Sequence, residues 1–296
     1  MKSKILKSGF AVAILAIALP TMAGEKNAVR VSEGFQHPES VVAHRKSLFV
    51  SNTGAELKPL EKDGDGYITK LSRKNGEIVE EKFITDLDSP KGMFAKGKRL
   101  YVADVNKVYV FNAKTKKKIA EHDLSNQGAA YLNDVTKAVN GVYVSSTLEN
   151  TLYKIKRNGK VKEIKLKNAN LNGINGVYRR PLGKVFVANF GHENEQNGNV
   201  GKFGVVRKKY KQIKKHGIND GIALKGGKVV YTDWVDKTKN AGNVITVKRI
   251  NGKTTKVDLP VAIGGPSSIY ADRRHRILWV PSMTDNKIVA IPFSKL

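Results

Sequence analysis

The sequence predicts an all-β chain folded as a six-bladed β-propeller, its last blade closed by an N-terminal strand. Three observations predict it. A four-strand pattern recurs six times. Helical periodicity is nearly absent. The sixth repeat stops at Leu296 before its fourth strand, while Ala28 to Phe35 offers a spare strand ahead of the first repeat. Four-stranded repeats of about 40–50 residues are propeller blades, and a terminal strand that completes the last blade leaves no open edge.

The elements follow in order. The first strand of each repeat begins at a polar anchor: Glu39, Lys91, Asp134, Asn175, Asp220 and Ser267, spaced 52, 43, 41, 45 and 47 residues apart. The second strands are Leu48–Asn52, Leu100–Asp104, Val142–Ser146, Val185–Asn189, Val229–Asp233 and Ile277–Pro281. They are β-branched and aromatic, as befits strands covered on both faces. Third strands are expected at Gly66–Leu71, Val108–Phe111, Thr151–Ile155, Gly201–Val206, Val244–Lys248 and Lys287–Ile291. Asn75-Gly76, Asn158-Gly159 and Asn251-Gly252 are hairpin dipeptides. Amphipathic fourth strands come next at Glu77–Phe83, Lys160–Leu166 and Thr254–Leu259.

Composition narrows the function classes. With 296 residues, 40% hydrophobic and 27% charged, the chain can build a large core. It has no cysteine, which removes disulfides, zinc ribbons, thiol nucleophiles and redox pairs. Its six histidines show no HExxH spacing, and no Gly-x-Ser-x-Gly elbow is present. Lys2, Lys4 and Lys7 precede an apolar run from Phe10 to Leu19, then Pro20 and Thr21-Met22-Ala23. That is the pattern of a secretory signal cleaved near Ala23, too short to span a bilayer. Residues 1–23 are therefore read as a signal peptide and 24–296 as a single exported domain, periplasmic or secreted. Net charge is +27, or +24 without the three signal lysines, from 41 Lys and 12 Arg. Such a charge suits an anionic polymer or membrane surface, or else is a solvated surface. The chain carries no specific nucleic-acid motif and is read as a monomer.

In a propeller the first strands line the central channel, so the anchors would ring one mouth of it. Converging oxygen ligands suit a hard divalent cation. The alternative is a self-neutralising ring in which Lys91 bridges two carboxylates and no metal binds. Four further features are weighed. Glu61 to Ile68 imitates the start of an EF-hand loop, but position 12 would be Ser72, so a polar loop before a strand is expected. Gly252-Lys253-Thr254 is read as a hairpin turn. Trp234 is read as packing between blades rather than rimming the channel. His192 is read as a solvated loop residue.

Pro38-Glu39, Leu132-Asn133-Asp134, Asn175-Gly176 and Asp220-Gly221 carry a resemblance. On them the chain resembles the senescence marker protein/gluconolactonase (regucalcin-like) superfamily of six-bladed propellers, and within it a group of exported bacterial members. The resemblance implies one divalent cation held by Glu39, Asn175 and Asp220, Ca²⁺ first, with Mg²⁺, Mn²⁺ or Zn²⁺ as alternatives. It implies Asp220 as the catalytic base. Asn133, with Asp134 and Lys91 beside it, would contact a small-molecule substrate. The implied activity is hydrolysis of a lactone or related ester. Ser40-Val41 stands where the family has Gly-Pro after its first-blade Glu, and Tyr131 where it often has an Arg, so the substrate stays open. The competing reading is a non-catalytic propeller that binds a polyanionic polymer or a protein partner.

Overall fold

The computed structural model describes residues 27–169, 171–180, 183–191, 195–236, 241–248 and 252–296. The expected signal peptide, Asn251 and His192 lie outside them. Six four-stranded antiparallel sheets follow one another around a ring. Blade 1 contains Pro38–His44, Ser47–Asn52, Gly66–Ser72 and Ile78–Leu87. Blade 2 contains Pro90–Lys96, Arg99–Asp104, Lys107–Asn112 and Lys118–Asp123. Blade 3 contains Leu132–Ala138, Gly141–Ser146, Thr151–Lys156 and Val161–Glu163. Blade 4 contains Ile174–Arg179, Lys184–Asn189, Asn199–Gly204 and Tyr210–Lys215. Blade 5 contains Asn219–Lys225, Lys228–Asp236, Ala241–Lys248 and Thr254–Lys256. Blade 6 contains Tyr270–Asp272, Ile277–Ser282 and Lys287–Pro292, and its fourth strand is the N-terminal Arg30–Glu33. That strand pairs antiparallel, Arg30 opposite Ala290 and Glu33 opposite Lys287, so the ring closes as the sequence predicts. The third strand of blade 4 starts at Asn199, two residues before the expected position. Gly76, Gly159 and Gly252 all take positive φ in their turns, as the hairpin dipeptides require.

The core lies between the sheets. Six hydrophobic clusters fill the seams between neighbouring blades. Leu48, Val50 and Leu71 of blade 1, for example, pack on Trp279, Ile288 and Ala290 of blade 6. This explains why the second strands are apolar at consecutive positions: each face meets a neighbouring sheet. Their polar last residues have a separate role, accepting from the backbone that enters the inner strand. Asn52 Oδ1 accepts from Gln36 N–H (3.1 Å), Asp104 from Asp88 and Ser89 N–H (2.8 and 2.6 Å), and Asp233 from Ile218 N–H (3.1 Å). Burying these loop amides would otherwise leave them unsatisfied.

Every inner strand carries one extra residue where it begins. Pro38 faces Asn52 but Ser40 faces Ser51. Pro90 faces Asp104 while Met93 faces Val102, and blades 3, 4 and 5 repeat that shift. In blade 6, Pro266 faces Ser282 and Tyr270 faces Trp279. A β-bulge of this kind bends the strand and re-aims one side chain. Here it turns Glu39, Lys91, Asn133, Asn175 and Asp220 toward the axis. The next residue is glycine in three blades because the neighbouring blade touches it. A Cβ on Gly176 would lie 2.1 Å from Asp220 O, and one on Gly221 2.3 Å from Ser267 O.

Candidate functional site

One narrow cavity of about 110 Å³ opens at the mouth where the inner strands begin. Its polar lining includes Glu39, Lys91, Asn133, Asn175 and Asp220, drawn from five successive blades. Its walls include Leu57, Tyr131, Phe190, Trp234 and Met283. A single water needs about 10–15 Å³ on the same scale, so a small ligand with several waters fits.

The oxygens of this lining are poorly matched by protein donors. Glu39 Oε2, Asn133 Oδ1, Asn175 Oδ1 and Asp220 Oδ1 are all buried, and none has a hydrogen-bond partner in the protein. Nearly all buried polar groups in native proteins are satisfied. Four acceptors without a donor in one cavity therefore ask for a positive or donating occupant. Burial drives the Glu39 carboxyl well above the usual range. Asp220 and then Asp134 push it further, against the pull of Lys91. Burial also raises Asp220, followed by the Asp134 charge, while the Trp234 indole draws it back. That indole Nε1 faces the carboxylate without making a hydrogen bond of normal geometry. Among the described residues no three His, Cys, Asp or Glu are grouped as a metal site. The set here is two carboxylates and two amides, an all-oxygen donor set.

Lys91 does not close the ring by bridging carboxylates. Its Nζ donates to Pro59 O (2.7 Å), Ser89 O (2.9 Å) and Ser89 Oγ (3.3 Å), and sits 5.0 Å from the centre of the Tyr131 ring. All three ammonium protons are thus used away from the orphan oxygens. Burial pushes its pKa down to about 8, with Asp104, Glu39 and Asp88 holding it up. The Pro59 contact ties down the loop that follows Thr53, which bears Leu57 at the cavity wall. Lys91→Met is expected to loosen that loop. Trypsin cleavage after Lys62 should rise about fivefold, the value of one lost hydrogen bond near 1 kcal/mol. An unchanged cleavage rate would show that other contacts hold it.

Asp134 stands elsewhere than the sequence alignment of repeats places it. Its carboxylate accepts from Val135 N–H (2.7 Å) and Val177 N–H (2.8 Å), and it does not line the cavity. Burial pushes it up to about 7 against those two amides. The structure gives its place in the ring to Asn133, which is the bulge residue of blade 3, while Asp134 occupies the position of Gly92, Gly176 and Gly221. The intervals Lys91 to Asn133 and Asn133 to Asn175 are then both 42 residues. Ser267, the sixth anchor, is fully buried and donates to Glu39 O at 2.7 Å, so it joins blade 6 to blade 1 rather than facing the cavity. Trp234 takes both of the roles weighed for it. It rims the cavity as well as packing between blades, edge-on to Phe190 of blade 4 with ring centres 5.6 Å apart. The EF-hand-like loop holds itself: Asp65 Oδ2 accepts from Ala55 N–H and Asp63 Oδ1 from Asp65 N–H, before a strand and not a helix.

No family model matches the chain, and no curated protein does. Solved structures do. A luciferin-regenerating enzyme shares 12% identity over 90% of this chain and 95% of its own, with a TM-score of 0.61. A catalytically inactive virginiamycin B lyase from Staphylococcus aureus, with quinupristin, shares 15% over 88% and 98%, with a TM-score of 0.55. A chain of a nidogen/laminin complex shares 11% over 79% and 88%, with a TM-score of 0.61. At such identities the likeness shows the fold alone, a six-bladed propeller.

Proposed function

We propose that this chain is an exported hydrolase that acts on a lactone or related ester with one divalent cation, Ca²⁺ before Mg²⁺, Mn²⁺ or Zn²⁺. The supporting observation is the convergence of four partnerless buried oxygens, from Glu39, Asn133, Asn175 and Asp220, on one cavity. Carboxylate and amide oxygens are the donors that hard cations take. Glu39, Asn175 and Asp220 would hold the ion and Asn133 its water or the substrate. Bound there, the cation would polarise an acyl carbonyl and acidify water.

The chain's own residues supply the rest. Asp220 would take the proton of the water that adds to the acyl carbon. The acyl C–O bond then breaks, its oxygen leaves with a proton, and a hydroxy acid results. Tyr131, Phe190 and Trp234 wall the cavity, and Lys91 fixes the adjoining loop. Export rests on the sequence pattern of residues 1–23; among the described residues no helix is long and apolar enough to cross a membrane.

The test is a thermal melt of the chelated protein, with each cation added back singly. A specific ion at about 100 times its Kd adds about 2.7 kcal/mol. A rise with one ion, lost in Glu39→Gln, is expected. No rise with any ion would remove the cation and the hydrolase with it. The second reading, a non-catalytic propeller that binds a polyanion, would then stand on the strong net positive charge of the chain.

A further inference from the structure

The turns at one end of this protein are strongly basic, and the connections at the other end are not. All inner strands begin at the cavity mouth, so the antiparallel order puts each first-to-second and third-to-fourth turn at the opposite end. Those eleven turns are two to five residues long, which makes that end even. Their described residues include 18 Lys and Arg but one acid, Glu77. Sixteen of the 18 are exposed. Arg73 is tied to Asp272 and Lys116 to Glu80. The connections that leave from the mouth end, by contrast, hold nine Asp and Glu against four Lys among their described residues, and one of those four, Lys167, reaches down to pair with Lys208 and Lys209. Net charge alone does not require such a division. A merely solvated basic surface would carry its lysines on both ends.

We propose that the end opposite the cavity mouth docks on a bilayer rich in anionic lipid, which leaves the mouth facing away from the membrane. Three features favour a bilayer over a nucleic-acid strand or another threaded polymer. The basic turns form an even end, where a strand would need a groove to follow. Their described residues include no Phe, Tyr or Trp on which bases could stack. Two of the most exposed apolar side chains of the molecule stand among the charges on neighbouring blades: Val206, 87% exposed beside Arg207, and Val139, 57% exposed. Apolar tips in a field of lysine and arginine suit an interface where headgroups meet acyl chains.

The experiment is co-sedimentation of the protein with vesicles of phosphatidylcholine, with and without phosphatidylglycerol. Binding is expected only to the anionic vesicles, and to vanish between about 0.1 M and about 1 M salt, as the Debye length falls from about 10 to about 3 Å. Each basic residue near such a surface contributes about fivefold. Arg157→Gln with Arg207→Gln should therefore weaken binding about 25-fold, and Val206→Ser should weaken it further. Lys58→Gln with Lys62→Gln, an equal loss of charge on the exposed loop at the mouth, should leave it within about twofold. All four positions are exposed turn or loop residues, and a melt confirms that each variant folds. Equal binding to neutral vesicles overturns the proposal, as does an equal loss in the two double variants. Capture by immobilised single-stranded DNA without any vesicle binding also overturns it, and puts a polymer in place of the bilayer.

Discussion

Asp220→Asn is expected to cut turnover of a lactone or ester substrate by at least about 100-fold, the lower bound for a general base, while the metal-free protein becomes more stable. The two signs come from one cause. Asp220 is buried beside Glu39 and near Asp134, and its Oδ1 has no partner. An asparagine keeps the shape and one acceptor oxygen but removes a charge that burial penalises. A structural residue would move stability and activity in the same direction. The pH dependence gives a second check. Glu39, Asp134 and Asp220 all bind their protons more tightly folded than unfolded. Stability of the chelated protein must therefore fall as pH rises from the unfolded carboxylate value near 4. For Asp134 that decline ends near its folded value of about 7. In Asp220→Asn the decline should be shallower. Turnover within a few-fold of the parent would dismiss Asp220 as base. A lower melting temperature of the chelated variant would dismiss the account of the buried charge.

Arg73→Ala should cost about 3 kcal/mol at neutral pH, the scale of a broken buried ion pair, or a fall in Tm of roughly 6 °C or more. Arg73 lies in a turn of blade 1 and Asp272 ends the inner strand of blade 6, so the pair sits on the seam where the ring closes. The contact is bidentate: Nε to Oδ2 and Nη2 to Oδ1, both 2.7 Å. The Asp272 side chain is fully buried, and His275 Nδ1 is its other side-chain partner at 2.9 Å. Burial alone would raise the Asp272 pKa, but the Arg73 and His275 contacts outweigh it and hold it below the usual value. The stabilisation is thus complete above the unfolded carboxylate pKa near 4 and is lost as pH falls through the lower folded value. The deficit of Arg73→Ala should shrink over that same acid range. A deficit that does not change with pH would mean that Arg73 acts through packing, or through its bond to Arg45 O, and not through the charge of Asp272.

The sequence by itself determined the blade count, the closing strand and the site's general place. The apolar second strands required cover on both faces, six repeats of them filled the chain, and the unmatched strand within Ala28 to Phe35 had one vacant edge to pair with. Glu39, Asn175 and Asp220 could be placed at a channel mouth because each starts a repeat. What only the tertiary structure decided turns on single-residue shifts and on contacts between distant segments. A bulge adds one residue to each inner strand, and in a strand one residue exchanges inside for outside. Alignment by the residues that follow each anchor therefore put Asp134 in the ring, when Asn133 is the residue turned inward. Lys91 could be counted in the ring, but its contact with Pro59, 32 residues earlier in the chain, exists only after the loop folds over the mouth. Trp234 likewise needed its neighbour Phe190 from another blade. The lysines are abundant but scattered along the sequence. The meeting of the 18 basic turn residues on one end follows from antiparallel topology, which sends every second turn to the same side of the ring.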